Sequence, residues 1–390
     1  MKKSPWRAFA AALIVAAGFC FVTGVYVLGL TDKNATERDF IQYWAAGQQL
    51  VHGADPYDVE AILRIERTAG LEVNQPKVTF SPPVAFFFFL PLGYVGAKTG
   101  LIAWLLVLLA GLSVAIWMLW ILQGRPDSRY HLLGYAFAPA LSCLMAGQLG
   151  IFLLLGIVLF LYFYRSRPFL AGAALLPCAL KPHLFLPFAI VLLLWIVSRR
   201  AYRLLGGFSV ALLGSCAITL CFDPHVWPQY AHMMRSTRVL DVFIPTLSVA
   251  FRFLVDRRAV WLQFLPEAAG CAWALWYYWT RRGRWEWTDQ GLLLLIVSVA
   301  CAPYAFFFDE AILLPAVLAG LYRAANSGRS LVPLGLIAGA ALIEVLAVVQ
   351  VTSPFYLWTV PAWLGWYLYA TGGRGEPATE IQNREVQSAG

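Results

Sequence analysis

Charged side chains are scarce in this sequence. Only 13% of its 390 residues are charged, whereas 60% are hydrophobic and 15% are aromatic. Water-soluble domains carry about 25% charged residues, so a soluble fold of this size would have too little charge to cover its surface. A protein embedded in a bilayer does not need that cover. The composition therefore predicts an integral membrane protein.

Several motifs of common enzymes and metal sites are missing as well. The chain contains no GxSxG, HExxH or Walker A motif, and no Asp-x-Asp pair of the kind that holds a metal and a nucleotide sugar. None of its seven cysteines has CxxC or zinc spacing. The patterns that would indicate these catalytic sites or a zinc site are therefore missing. A transferase with this sequence would have to take its activated donor from the membrane.

The basic residues of the chain occur in clusters between apolar runs. The net charge is +8. The clusters are Lys2/Lys3/Arg7, Arg165/Arg167, Arg199/Arg200/Arg203, Arg281/Arg282/Arg284 and Arg323/Arg329. This arrangement is typical of cytoplasmic loops under the positive-inside rule. The charge therefore indicates topology, and no nucleic-acid partner is expected.

The apolar runs predict an all-α, polytopic membrane protein with about 11–13 membrane segments. Residues 8–30 are predicted to be the first transmembrane helix, with a cytoplasmic N-terminus, because this run is too long for a signal-peptide core. The later runs are 79–95, 99–122, 132–147, 148–164, 168–180, 184–197, 204–222, 259–280, 288–307, 310–323, 330–350 and 354–371. Residues 245–255 are predicted to be interfacial.

These segments predict a multi-pass protein of the plasma (inner) membrane. Residues 1–371 would form one membrane domain, and the polar residues 372–390 a disordered cytoplasmic tail. An odd number of crossings must separate an outer loop at 31–78 from the basic cluster at 165–167. One proline-containing run, either 79–95 or 132–147, is therefore expected to be a half-span.

The longest polar segment, 31–78, is predicted to be the first extracytoplasmic loop. Its residues 40–51 can place apolar side chains on one broad face, which predicts an amphipathic helix on the membrane surface, ended by Gly53. Asp55 and Pro56 predict the start of a second short helix, and Gly70 its end.

Polar residues that this topology brings to the outer side are candidates for a site. Asp39 is either a carboxylate that complements the helix dipole or a general base, and Tyr43 lies one turn later, where it could orient a substrate. Lys181 and His183 flank a proline within an apolar run, so they are either a snorkelling helix turn or a cationic site for a lipid phosphate.

Four further polar positions are open to two interpretations each. Gln148 is either interhelical glue or part of the site. Arg252 either snorkels or contacts a phosphate, and Asp309 with Glu310 is either a solvated helix boundary or part of the site. Glu344 has no partner that the sequence identifies.

A set of motifs in the chain resembles the family 87 glycosyltransferases of the GT-C superfamily. The motifs are DFIQYWAAG at 39–47, GADPY at 53–57, FSPP at 80–83, PL at 91–92, GQ at 147–148, LAG at 170–172, KP at 181–182, PYA at 303–305, Asp309 and LLP at 313–315. Their order carries the resemblance over residues 39–315. The chain departs from the family pattern at 246–248, where an Asn is frequent, and at His183.

The resemblance implies transfer of a hexose, mannose-like in many family members, from a polyprenyl-phosphate sugar at the extracytoplasmic face. Asp39 would take the proton of the acceptor hydroxyl in an inverting displacement, and Lys181, His183 and Arg252 would stabilise the departing phosphate. The signature residues Tyr43, Tyr57, Gln148 and Asp309 would contact substrate. No metal or other cofactor would be obligatory, because one phosphate carries less charge than a nucleotide diphosphate.

The expected partners are a lipid-linked sugar donor, a glycan or glycolipid acceptor and membrane lipids. Two alternatives remain open from the sequence. One is a transporter or flippase of lipid-linked sugars, and the other is a non-catalytic membrane assembly protein.

Overall fold

The structure is a computed structural model that describes residues 32–236, 243–325, 331–350 and 354–372. The predicted first transmembrane helix at 8–30 and the predicted tail from 373 onward lie outside the described residues. Within the described ranges the chain forms α- and 3₁₀-helices and no β-strand. The all-α prediction is confirmed.

The α-helices of the N-terminal half run from the first loop to residue 199. They are α1 (Asp32–Glu37), α2 (Phe40–Val51), α3 (Val59–Thr68), α4 (Phe86–Phe89), α5 (Ala97–Leu122), α6 (Ala138–Ala146), α7 (Gly150–Phe163), α8 (Pro168–Ala174) and α9 (Leu186–Arg199). Short 3₁₀ segments lie between them at Pro83–Ala85, Leu90–Tyr94, Tyr130–Ala136, Leu176–Leu180 and Pro182–Leu184.

The C-terminal half continues in the same way. Its α-helices are α10 (Tyr202–Phe222), α11 (Val226–Ser236), α12 (Leu247–Val255), α13 (Leu265–Arg281), α14 (Gln290–Cys301), α15 (Leu314–Ala325), α16 (Leu331–Gln350) and α17 (Thr359–Gly372). The 3₁₀ segments here are Val260–Phe264, Arg282–Arg284, Phe307–Leu313 and Pro354–Trp358.

Each predicted apolar run that the structure describes contains helix, and both runs offered as half-spans are broken into short pieces. Run 79–95 consists of α4 between two 3₁₀ segments, and run 132–147 is divided before α6, at the extended residue Phe137. Proline explains both breaks, because it removes a backbone donor and clashes with the preceding turn. These are the two runs that the topology offered as half-spans. The topology itself stays a prediction.

Helix α2 has the bounds that the sequence predicts, but its surroundings differ from the prediction. Gly53 has a φ of 65°, as expected of a residue that ends a helix. Eight of the twelve residues of α2 are buried, including Tyr43 and Gly47. An ideal Cβ on Gly47 would lie 2.5 Å from the Phe89 carbonyl oxygen, so glycine allows a close backbone contact here. The helix is thus packed inside the protein, which corrects the prediction of an amphipathic surface helix.

The second helix of the first loop starts three residues later than predicted. Asp58, and not Asp55, is the N-cap of α3, and its Oδ1 accepts hydrogen bonds from the backbone N–H groups of Glu60 (2.9 Å) and Ala61 (3.1 Å). Asp55 instead accepts from the backbone N–H of Tyr57 (2.8 Å) in a local turn. The predicted end is confirmed, since Gly70 follows α3 with a φ of 98°.

Two of the described helices, α5 and α10, are long and apolar enough to cross a membrane. Only 22% of the most apolar stretch of α10 is buried within the protein, and 44% of that of α5. Large apolar side chains such as Leu213, which is 66% exposed, cover the outer side of α10. Several other apolar helices, among them α7, α9 and α14, are 12–14 residues long and shorter than a full span.

Helices α8 and α10 pack at very close range through glycine. A Cβ on Gly172 would overlap the Leu204 carbonyl oxygen, and a Cβ on Gly207 would overlap the Phe169 carbonyl oxygen. Small residues of this kind allow helix backbones to approach each other, as is common in membrane proteins.

We expect Gly207→Ala to lower the free energy of unfolding by about 1–3 kcal/mol, because the new methyl group forces the two helices apart. The matched control is Gly206→Ala on the same helix, where a Cβ meets nothing within 4 Å. The control should be neutral or stabilise by up to about 1 kcal/mol through helix propensity. Denaturant unfolding of the purified variants measures the difference, and equal effects would contradict the close contact.

Candidate functional site

Asp39 lies at the start of α2, but its side chain does not cap the helix. Its backbone is already helical, with φ −69° and ψ −16°, and it makes no capping hydrogen bond. The Asp39 Oδ2 atom instead accepts a hydrogen bond from Gln148 Nε2 at 2.7 Å. The side chain of Asp39 is 35% exposed, so the other carboxylate oxygen can be approached from outside.

Tyr43, Gln148 and Asp39 form one directed chain of hydrogen bonds. The Tyr43 hydroxyl donates to Gln148 Oε1 at 2.6 Å, and the Gln148 amide donates onward to Asp39. Tyr43 and Gln148 are both buried. Burial raises the pKa of Tyr43 well above its usual value, and the nearby Asp39 and Asp309 carboxylates add to this. The hydroxyl therefore stays protonated and remains a donor.

A turn between α6 and α7 holds Gln148 in place. Gly147 adopts the left-handed conformation with a φ of 71°, and a Cβ there would lie 2.8 Å from Phe40 Cβ. Trp104 Nε1 donates to the Gly147 carbonyl oxygen (2.7 Å), and Cys143 Sγ donates to the Gln148 carbonyl oxygen (3.1 Å). The glycine lets α2 approach this turn closely, so Asp39 and Gln148 can meet.

Lys77 also belongs to this cluster, although the sequence analysis did not select it. Its ammonium nitrogen lies 3.7 Å from Asp39 Oδ1 and donates to the Glu37 carbonyl oxygen at 2.8 Å. One signal could have identified it. Lys77 is the only basic residue between Arg67 and Lys98, and it lies three residues before the start of the FSPP motif.

Lys181 and Asp309, both predicted site residues, form a buried ion pair. Lys181 Nζ lies 2.6 Å from Asp309 Oδ1, and the two side chains are 15% and 1% exposed. Asp309 Oδ2 also accepts from the Phe306 backbone N–H at 3.1 Å, and the Lys181 ammonium lies 4.9 Å from the centre of the Phe308 ring. The lysine charge is therefore already balanced by a carboxylate, which the sequence analysis did not foresee.

His183 does not act as a cation in this structure. Burial, helped by the neighbouring Lys181 charge, lowers the pKa of His183 to about 3, so the ring is neutral at pH 7. The ring stacks on Tyr304 with 3.9 Å between the centroids. His183 is therefore removed from the group of cations that the resemblance implied. Its contact with a substrate stays a prediction.

Arg252 is buried and does not snorkel. Only 2% of Arg252 is exposed. Its Nε donates to the Arg257 carbonyl oxygen (2.8 Å), and its Nη1 donates to Gln263 Oε1 (2.9 Å). Gln263 in turn donates to the Pro303 carbonyl oxygen at 2.7 Å. The snorkelling interpretation is wrong, since the guanidinium connects α12 to residues 257–303. A phosphate contact stays a prediction.

Tyr57, Glu310 and Glu344 each bind within the protein. The Tyr57 hydroxyl donates to the Ser81 carbonyl oxygen at 2.8 Å and so ties the first loop to the FSPP motif. Glu310 Oε1 accepts from the Thr359 hydroxyl. Glu344 Oε2 accepts from the Ala138 backbone N–H, a partner that no sequence pattern indicates.

The Asp39 cluster and the Lys181–Asp309 pair lie on two sides of the turn at 147–150. Gln148 in this turn donates to Asp39. Gly150, at the end of the turn, lies against the Phe308 carbonyl oxygen, which a Cβ on Gly150 would approach to 2.5 Å. Cys143 lies near both Lys181 and Asp309, and its thiol donates to the Gln148 carbonyl oxygen. The structure thus brings a partly exposed carboxylate and a buried ion pair to one region. In the described part of the chain, no group of three or more His, Cys, Asp or Glu residues is placed to hold a metal ion.

Comparison with known protein families identifies the chain. The model of glycosyltransferase family 87 matches residues 80–303, which is more than half of the 390 residues. The chain belongs to glycosyltransferase family 87. It is therefore a glycosyltransferase, and the resemblance noted in its motifs is confirmed. No curated protein and no solved structure matches it.

The match divides the candidate residues of this family 87 glycosyltransferase into two groups. Gln148, Lys181, His183 and Arg252 lie within the matched residues. Asp39, Tyr43, Tyr57 and Asp309 lie outside them, together with Lys77. The contacts between Asp39 and Gln148 and between Lys181 and Asp309 therefore join matched and unmatched parts of the chain.

The buried Lys181–Asp309 pair predicts strong coupling in stability. Lys181→Met alone and Asp309→Asn alone should each lower the free energy of unfolding by about 3–5 kcal/mol, because each change leaves a buried charge or its hydrogen bond unpaired. The double variant should lose clearly less free energy of unfolding than the sum of the losses in the two single variants. Lys98→Met, at an exposed lysine, is the control. Additive losses in denaturant unfolding would show that the two side chains are not paired.

Proposed function

We propose that this glycosyltransferase moves a mannose-like hexose from a polyprenyl-phosphate donor to a glycan or glycolipid acceptor. The reaction would be a single inverting displacement at the extracytoplasmic face of the membrane, with Asp39 as the general base. Neither a metal nor another cofactor takes part in this proposal, since a single phosphate carries less charge than a nucleotide diphosphate.

The geometry of Asp39 carries the proposal. One carboxylate oxygen is held by Gln148 at 2.7 Å, and the side chain is 35% exposed. A general base needs a fixed orientation and an oxygen that a substrate hydroxyl can reach. Tyr43 and Gln148 supply the first requirement, because their hydrogen bonds run in one direction towards Asp39. The partly exposed Oδ1 side of the carboxylate, where the Lys77 ammonium lies 3.7 Å away, supplies the second.

In the proposed step, the acceptor hydroxyl gives its proton to an Asp39 oxygen while its own oxygen attacks the anomeric carbon of the sugar. The bond between that carbon and the phosphate oxygen breaks, and the phosphate leaves with the electron pair. One bond to the anomeric carbon forms as the other breaks on the opposite side, so the configuration inverts. Help from a positioned base is worth about 10²–10⁴ in rate.

The departing polyprenyl phosphate gains one negative charge, and Lys181 is the residue proposed to stabilise it. Its ammonium already donates to Asp309, but an ammonium group has three N–H donors. The additional charge that develops on the phosphate would strengthen a hydrogen bond from Lys181 in the transition state more than in the ground state. Asp309 then fixes the position of the lysine and limits how strongly it holds the product.

A lipid-linked donor requires that the protein lie in a bilayer. The apolar surface of α10 supports this, because Val210 and Leu213 are 60% and 66% exposed. In water such a surface would be an aggregation hazard, whereas in a bilayer it is the expected lipid contact. The sequence-derived topology places Asp39 and Lys181 on the outer side, and the extracytoplasmic location of the reaction rests on that topology.

We expect Asp39→Asn to lower the turnover of sugar transfer at least about 100-fold, because the amide cannot take the proton of the acceptor. The measurement is transfer of labelled sugar by purified protein from polyprenyl-phosphate-mannose and from polyprenyl-phosphate-glucose to several acceptors. Folding should be retained, since an amide can keep the hydrogen bond with Gln148.

The control is Asp256→Asn, at an exposed aspartate in the turn after α12, which should transfer sugar like the unmodified protein. If Asp39→Asn transfers normally, Asp39 is not the base. If the unmodified protein consumes none of the donors, the donor class is wrong. Movement of the lipid-linked sugar across a vesicle membrane without transfer would favour a transporter instead.

A further inference from the structure

Residues 71–79, here called the strap, connect the end of α3 to the FSPP motif. Two sets of hydrogen bonds connect the strap to residues of α3. Arg67 donates from Nη2 to Asn74 Oδ1 at 2.6 Å. The Lys77 backbone N–H donates to both carboxylate oxygens of Glu66, at 3.2 and 3.1 Å. The middle of the strap, 72–75, is exposed, so these contacts decide where Lys77 lies.

Glu66 is unusual among the acidic residues of the first loop because it is completely buried. Its exposed fraction is 0%, and it shares the inward side of α3 with Ala61 and Ile62. Burial raises the pKa of Glu66 to about 7, although the Lys77 backbone N–H and the Lys77 charge oppose this shift. Removing an ionised carboxylate from water costs free energy unless hydrogen bonds compensate for it. The Glu66 carboxylate is compensated by the backbone N–H of Lys77, which indicates that this contact is important for the position of the strap.

The residue that Glu66 holds is the one whose side chain lies beside the proposed base. The Lys77 ammonium is 3.7 Å from Asp39 Oδ1 and donates to the Glu37 carbonyl oxygen at 2.8 Å. Lys77 is thus fixed at its backbone by Glu66 and at the end of its side chain by Glu37. A contact runs from Glu66 through Lys77 to the carboxylate of Asp39.

We propose that Glu66 is a positioning residue for sugar transfer, whose buried carboxylate fixes the strap at Lys77 and so keeps the Lys77 ammonium beside Asp39. The inference rests on the proposed role of Asp39 as the base. The Lys77 ammonium, 3.7 Å from Asp39 Oδ1, narrows the orientations that the Asp39 carboxylate can adopt. Glu66 touches no reacting atom and acts only through Lys77.

The hydrogen bond between Glu66 and the Lys77 backbone predicts a pH dependence of the reaction. The charged groups that face Glu66 are Lys77 on the strap and, beyond its ammonium, Asp39 at the start of α2. Ionised Glu66 accepts a charge-assisted hydrogen bond from the Lys77 backbone, and protonation weakens it. Because the pKa of Glu66 is about 7, turnover should decrease as the pH falls through about 7.

The variant that tests this is Glu66→Gln, a neutral side chain of the same size as protonated Glu66. We expect its kcat at pH 8 to be about 3–10-fold below that of the unmodified protein, because the loss of one charge-assisted hydrogen bond at the Lys77 backbone affects Asp39 only in part. KM should change less than about 2-fold. The step near pH 7 should vanish from its kcat profile. Glu60→Gln makes the same chemical change on the exposed side of α3 and should behave like the unmodified protein.

A double-mutant cycle separates positioning from general destabilisation. Lys77→Met should lower kcat by itself, and adding Glu66→Gln to it should lower kcat little further, because the group through which Glu66 acts is gone. The positioning role is overturned if Glu66→Gln lowers kcat by the same factor in the unmodified protein and in Lys77→Met. It is also overturned if the step near pH 7 persists in the kcat profile of Glu66→Gln.

Hydrogen exchange gives a readout that does not need activity. In Glu66→Gln the Lys77 backbone amide should exchange faster than in the unmodified protein, and in Glu60→Gln it should not. Unchanged exchange at Lys77 would overturn the inference whatever the kinetics show. If exchange changes as expected but no polyprenyl-phosphate sugar is consumed by the unmodified protein, it is the proposed function that fails. If Asp39→Asn is inactive and Glu66→Gln is normal, only the positioning role fails.

Discussion

The amide of Gln148 is the contact on which the arrangement of the site depends. Its oxygen accepts from Tyr43 and its nitrogen donates to Asp39, so one side chain orients both residues of α2. An amide is the suitable group because it offers an acceptor and a donor on opposite atoms. A buried donor or acceptor that lost its partner here would cost about 1–3 kcal/mol. The register between α2 and the turn at Gly147 is therefore specified by hydrogen bonds as well as by packing.

The close packing around this turn follows from glycine. Gly147 and Gly150 allow Phe40 and the Phe308 carbonyl oxygen to approach from two sides, and Gly47 allows the segment at Phe89 to approach α2. Glycine carries no Cβ, so the backbone of a neighbouring segment can come into direct contact at these positions. The partly exposed Asp39 and the buried Lys181–Asp309 pair thus lie near one another.

Charges in the region are arranged in pairs, and the partners come from distant parts of the chain. Asp309 neutralises Lys181, and Lys77 lies beside Asp39. Sequence analysis selected Asp39, Tyr43, Gln148, Lys181 and Asp309 from motif order and from polar positions within apolar runs. The structure brings these five residues to one region, and their role in catalysis stays a prediction. It treated His183 as an available cation, and it did not select Lys77. Those errors concern protonation and partners, which depend on burial that no local pattern displays.

The sequence by itself determined the helical class, the bounds of α2, the end of α3 at Gly70 and the family, since apolar runs, glycine and proline act locally on the backbone. It did not determine that α2 is buried, that Asp58 displaces Asp55 as the cap of α3, or that Arg252 is enclosed. Only the tertiary structure decided these points. The physical reason is that burial, the choice between two competing caps and the pairing of charges all depend on atoms that other segments bring close, at separations in sequence that no pattern spans.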